Sequence, residues 1–141
     1  MNAAAEKPPF LGYFGNIEEN TNYNETELFL NNYHQRMTEF PLEIIKLTKL
    51  KQLSLTDNHL TTLPPEINQL ELLEFLYLRK NRIITLPCEI GQLTRLRYLG
   101  LSHNQLTVLP NSIVNLVNLQ ELSLDNNLLK TLPDNIGNLR K

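Results

Sequence analysis

The sequence predicts an α/β solenoid, in which short strands and short helical or 3-10 segments alternate around one apolar interior. Three observations predict it. A period of 23 residues runs through residues 50–139, each period holds a leucine-any-leucine stretch with two-residue alternation, and an asparagine and a leucine-proline pair follow at constant offsets.

Each element has a physical reason. Leucines open the units at Leu50, Leu73, Leu96 and Leu119, and the same offset relates Leu53, Leu76, Leu99 and Leu122, then Leu55, Leu78, Leu101 and Leu124. Alternation sends these leucines inward and the residues between them outward, the pattern of a strand buried on one face. Asn58, Asn81, Asn104 and Asn127 follow at the turn, where a row of side-chain amides satisfies backbone groups that would otherwise be buried unpaired. Leu63–Pro64, Leu86–Pro87, Leu109–Pro110 and Leu132–Pro133 come next. Proline suits the first turn of a helical or 3-10 segment, where its missing N–H costs nothing. Ile67, Ile90, Ile113 and Ile136, then Leu70, Leu93, Leu116 and Leu139, pin that segment to the leucine interior. One unit cannot bury its own apolar side, so stability comes from neighbours.

The pattern LxxLxLxxNxLxxLPxxIxxL, four times in register, resembles the leucine-rich-repeat family, in the 23-residue LPxxIxxL class of cytoplasmic scaffold proteins and bacterial effector proteins. The resemblance implies a horseshoe arc with one parallel β-sheet on the concave face and the proline-containing segments on the convex face. Right-handed coiling is expected of parallel crossovers. The resemblance also implies a protein-binding module without enzymatic activity. Some bacterial members join such a solenoid to a ubiquitin-ligase domain, which nothing here resembles.

The organisation expected is an N-terminal polar and aromatic segment over 1–26, a degenerate capping repeat over 27–49, and four repeats at 50–72, 73–95, 96–118 and 119–141. In the capping repeat Leu30, Met37, Phe40, Pro41, Ile44 and Leu47 fall at the 23-residue offset, whereas Glu27, Asn32 and Gln35 replace two leucines and the asparagine. Ahead of it, Phe10, Leu11, Tyr13 and Phe14 read either as a cover for the first unit or as a linear recognition motif. At the other end the chain stops at Arg140-Lys141 directly after a complete repeat. Two readings stand there: a symmetric partner covers the last unit by end-to-end association, or the natural chain continues.

Composition narrows the function classes. The formal net charge of −2 argues against a nucleic-acid-binding protein. Residues 1–46 carry seven acids against three bases, so the rest of the chain is net basic by two. The single cysteine, Cys88, allows no intrachain disulfide, and MNAAAEKPPF holds no apolar signal core, so a reducing, cytoplasmic compartment is expected, the host cytosol for a translocated effector. No apolar run is long enough for a membrane span. In that setting the acceptor triplet Asn24-Glu25-Thr26 never meets glycosylation machinery.

Chemistry-bearing patterns are sparse. No cofactor motif occurs, and His34, His59 and His103 fall in different units, so no metal site is expected. Ser102, His103 and Asp125 lie on neighbouring strands, but an open sheet supplies neither an oxyanion hole nor exclusion of water. Cys88 has no basic neighbour to activate it and reads as inert.

Aligning the units turns outward positions into columns. One column reads Phe29, Gln52, Phe75, Tyr98, Glu121 and the next Asn31, Ser54, Tyr77, Gly100, Ser123. Beyond them run Tyr33, Thr56, Arg79, Ser102, Asp125, then His34, Asp57, Lys80, His103, Asn126, then Arg36, His59, Arg82, Gln105, Leu128. Phe75, Tyr77 and Tyr98 cluster centrally with Gly100 leaving space beside Tyr77, and Arg79, Lys80, Arg82 and His103 line the margin. Aromatics and arginine carry most interface energy, so this face is the expected partner site, for a protein with an acidic patch. The alternatives are the substrate-recognition part of a larger enzyme, such as a ubiquitin ligase or phosphatase complex, and an RNA- or ribosome-directed protein resting on the basic margin.

Overall fold

The structure, a computed structural model, describes residues 21–23, 26–32 and 36–139, with side chains from residue 26 onward. The aromatic cluster Phe10, Leu11, Tyr13 and Phe14, the acceptor Asn24, the residues Tyr33, His34 and Gln35, and the terminal Arg140-Lys141 lie outside the described residues.

Among the described residues six strands form one open sheet in sequence order: β1 Thr21–Tyr23, β2 Glu27–Leu30, β3 Gln52–Ser54, β4 Phe75–Tyr77, β5 Tyr98–Gly100 and β6 Glu121–Ser123. From β2 to β6 all pairings are parallel, because each strand is followed by a return segment that brings the chain back to the same end. These five strands, one from each unit, are the expected parallel sheet, and β1 adds a strand from the N-terminal segment to its edge. β1 runs antiparallel to β2, with Asn22 opposite Phe29, since only three residues separate the two strands and no crossover intervenes.

The return segments are short 3-10 turns: Leu42–Lys46, Pro65–Gln69, Cys88–Gln92, Asn111–Asn115 and Ile136–Asn138. The repeated proline sits one position earlier than expected in the first four. Pro41, Pro64, Pro87 and Pro110 precede the turn with extended ψ of 108–151°, and each carbonyl accepts the N–H of the isoleucine three residues on. The ring thus contributes its fixed φ and its carbonyl while the missing N–H is still not needed.

Inward leucines make one continuous core. Leu53, Leu55, Leu76, Leu78, Leu99 and Leu101 are fully buried, as are Ile67, Ile90 and Ile113 from the 3-10 turns. Each such side chain contributes about 1.5–3 kcal/mol by leaving water.

The asparagine row forms as expected, with one refinement: the amides bond to backbone and not to one another. Asn81 donates to the carbonyls of Leu55 and Leu78 and accepts the N–H of Leu60. Asn104 and Asn127 repeat this on the preceding unit, and Asn58 does so with Leu30, Leu55 and Met37. The residue before each asparagine turns the chain through a left-handed conformation, at Asp57, Lys80, His103 and Asn126 with φ of 55–59°. Aspartate, histidine and asparagine tolerate that conformation better than lysine does.

The first unit corrects the expected register. Leu28, not Leu30, lies beside Leu53, and Phe29 lies beside Ser54, so the strand is shifted by two residues. The shift ends before Met37, whose N–H meets Asn58 as Leu60 meets Asn81. Two additional residues between Leu30 and Met37 absorb it. Asn32, with φ of 46° and its N–H on the Thr56 carbonyl, takes the place that the regular offset assigned to His34.

Candidate functional site

The outward face of β4 and β5 is built by alternation: with Leu76 and Leu99 buried, Phe75, Tyr77 and Tyr98 must point the other way. Phe75 is directly beside Tyr98, and Tyr77 directly beside Gly100. Tyr98 leans across Gly100 to meet Tyr77, with ring centroids 4.8 Å apart and planes inclined at 34°. A β-carbon added at Gly100 would sit 2.8 Å from the Tyr98 ring, so only glycine lets the ring lie there. The space expected beside Tyr77 is therefore occupied, and the two tyrosines form one half-buried platform. Burial first, then Tyr98 and Glu121, push the Tyr77 hydroxyl above its ordinary pKa, so it stays protonated and available as a donor.

Phe75 carries a neighbour that sequence columns missed. The Arg97 guanidinium stands 5.9 Å over its ring and 3.6 Å from Glu74, at the edge of a shallow recess of about 250 Å³ with Arg95, Asn118 and Gln120. Arg97 precedes its strand and so falls outside the alternating columns. The usable signal was the column Lys51, Glu74, Arg97, Gln120, whose first three members alternate in sign.

The basic margin divides into parts. The side chains of Arg79 and Lys80 are exposed and engage no hydrogen bond or ion pair among the described residues, leaving both cations open to a partner. Arg82 reaches along the margin to His59 Nε2 at 3.4 Å, and Arg36 approaches the same nitrogen at 3.4 Å. His103 belongs to a different group: its Nε2 lies 3.3 Å from Asn126 Nδ2 and 3.9 Å from Asp125. No hydrogen bond joins it to the tyrosine pair among the described residues.

Ser102, His103 and Asp125 do come together, in the wrong order for nucleophile activation. The Ser102 hydroxyl donates to Asp125, while no hydrogen bond joins it to His103. The Ser102 hydrogen bond, foremost, holds the Asp125 carboxyl below its ordinary pKa. Cys88 is exposed, and a hydrogen bond with Glu89 and that carboxylate's charge push its thiol up, away from thiolate chemistry. Among the described residues no cluster of His, Cys, Asp and Glu could hold a metal, and no helix is long and apolar enough to cross a membrane.

Comparison with known proteins accords with this geometry. Residues 88–141 match the leucine-rich repeat region family, and residues 49–70 match the leucine rich repeat family. No match was found among curated proteins. Among solved structures, a leucine-rich-repeat protein of Leptospira interrogans is 34% identical with a TM-score of 0.72, over 94% of this chain and 38% of that one. The ectodomain of the Arabidopsis thaliana receptor kinase SOBIR1 is 36% identical with a TM-score of 0.65, over 74% of this chain and 58% of its own. The ectodomain of the Arabidopsis thaliana membrane receptor kinase GASSHO1/SCHENGEN3, solved in complex with CASPARIAN STRIP INTEGRITY FACTOR 2, is 34% identical with a TM-score of 0.66, over 72% and 13%. The chain thus spans less than two thirds of the length of each. Strand register, asparagine row, 3-10 returns and these likenesses together place the chain in the leucine-rich-repeat family.

Proposed function

We propose that this chain is a non-enzymatic protein-binding module of the cytosol, a regulator or a translocated bacterial effector, that holds a protein partner on its strand face. The observation that carries the reading is the Tyr77–Tyr98 platform, an aromatic surface held half-exposed where alternation could have placed small polar residues. Phe75 extends it, and the open cations of Arg79 and Lys80, with Arg82 and His103 further along, suit a partner with an acidic patch. The complex of the GASSHO1/SCHENGEN3 ectodomain with CASPARIAN STRIP INTEGRITY FACTOR 2 supports the reading that repeats of this kind hold a partner. Partner capture from lysate with the wild type and with Tyr77→Ala/Arg79→Glu tests the assignment. The double variant is expected to lose its main partner, and identical capture profiles would remove this patch from the reading.

A second reading is that the chain is the recognising part of a larger enzyme, such as a ligase or phosphatase complex. It draws on the modest share of its relatives' length that the chain spans and on two of them being parts of receptor kinases. Mass measurement of the natural gene product separates the two, since a product ending at Lys141 excludes the second.

A further inference from the structure

Arg36, His59 and Arg82 occupy one outward column over three successive units. Their register brings both guanidinium groups to a single atom, His59 Nε2, each at 3.4 Å. Arginine has no acceptor, so both groups donate and Nε2 must be unprotonated, with the ring proton on Nδ1. That nitrogen has one lone pair. Two cations sharing it at the long end of hydrogen-bond range are both underfilled. The only other charged group facing the ring among the described residues is Asp57, whose carboxylate stands 3.8 Å from Arg36. Two fixed positive charges thus meet one carboxylate and a neutral imidazole, and all three side chains of the column are accessible from solvent.

We propose that Arg36, His59 and Arg82 form a site for a carboxylate from an acidic segment of the protein partner, and that protonation of His59 tightens it. The inference rests on the docking reading only for the source of the carboxylate. A carboxylate offers about four lone-pair positions in place of one, enough for both guanidinium groups at once. Asp57 against Arg36 shows that the local counter-ion chemistry is already carboxylate. Desolvation, then the charges of Arg82 and Arg36, hold His59 below its ordinary pKa, with Asp57 opposing. A bound carboxylate offsets those charges and favours the imidazolium, whose Nε2–H becomes a third donor. Proton and carboxylate therefore bind cooperatively, and affinity rises as pH falls through the His59 pKa.

The test is an NMR titration of the His59 imidazole in the full chain across pH, alone, with hexaglutamate peptide, and with hexaglutamine as control. Hexaglutamate is expected to raise the His59 pKa by about one unit, equivalent to about tenfold tighter binding below that pKa than above it. Arg36→Gln/Arg82→Gln should abolish the shift, Lys46→Gln on the opposite side should keep it, and His59→Asn should bind hexaglutamate without pH dependence. An unmoved pKa, an equal shift with hexaglutamine, or a shift that survives in the double arginine variant overturns the proposal. A shift with inorganic phosphate but not with hexaglutamate overturns the peptide assignment. Tyr77→Ala, which tests the docking face, should leave this titration unchanged, so the two readings can fail separately.

Discussion

Leu99 and Leu122 hold the same place in successive units, yet Leu99 is wholly buried whereas Leu122 is partly exposed. The contrast extends through the unit. Leu86 and Leu109 are 5% and 2% exposed, while Leu132 is 51% exposed, and Leu124, Leu129, Ile136 and Leu139 are all only partly covered. Backbone follows side chain. The N–H groups of Leu55, Leu78 and Leu101 bond to carbonyls of the next unit, as do those of Asp57, Lys80 and His103. The equivalent groups of Leu124 and Asn126 have no such partner among the described residues. A groove of about 350 Å³ lined by Leu119, Leu122, Ile136, Gly137 and Leu139 opens there. The same leucine at the same repeat position is thus buried differently, because a unit is covered from its C-terminal side by the unit after it.

The largest expected difference is in the core. Leu99→Ala should cost about 3 kcal/mol in urea unfolding, whereas Leu132→Ala should cost under about 1 kcal/mol. Equal losses would mean that the last unit is covered in solution. Next come the asparagines. Asn81→Ala strands the Leu60 N–H in the interior and takes one of two amide donors from each of the Leu55 and Leu78 carbonyls, which keep Asn58 and Asn104, and should cost about 1–3 kcal/mol. Asn127→Ala should cost about half as much, because water reaches its partly exposed site.

Two glycines give a cleaner version of the same contrast. Gly91 and Gly137 share one repeat position, but a β-carbon on Gly91 would meet the Ser112 carbonyl oxygen at 2.3 Å, while one on Gly137 meets nothing within 4 Å. Gly91→Ala should lower stability by about 1–3 kcal/mol through overpacking of adjacent 3-10 turns, and Gly137→Ala should be neutral within about 0.5 kcal/mol, both read by thermal unfolding.

The smallest effect lies where the third and fourth units join. Asp125 titrates below its ordinary 3.8 because Ser102 donates to the carboxylate. Its contribution is therefore fully present above pH 3.8 and lost as pH falls through the lowered folded value. Ser102→Ala should move the Asp125 carboxyl-carbon titration back toward 3.8 and weaken that acid-limb dependence, with Asn126 and His103 still holding the carboxyl down.

Much of this was legible in sequence. Leu76, Leu99 and their equivalents are inward because alternation and a strict period leave no other placement, and the asparagine row follows from the backbone groups such a turn would otherwise bury. Phe75, Tyr77 and Tyr98 were legible as an outward cluster by the same reasoning. The first unit was not, because offset counting assumes turns of equal length, and two extra residues after Leu30 moved Phe29 and Leu28 by a full alternation.

Sequence by itself therefore determined which residues are inside, how the units stack and which side is free to vary. Only the tertiary structure decided that Tyr98 lies across Gly100, that Arg97 covers Phe75, and that Arg36 and Arg82 meet on His59. The period assigns each side chain to a column, whereas the direction in which a long side chain leans depends on the size and charge of its neighbours in the adjoining strands.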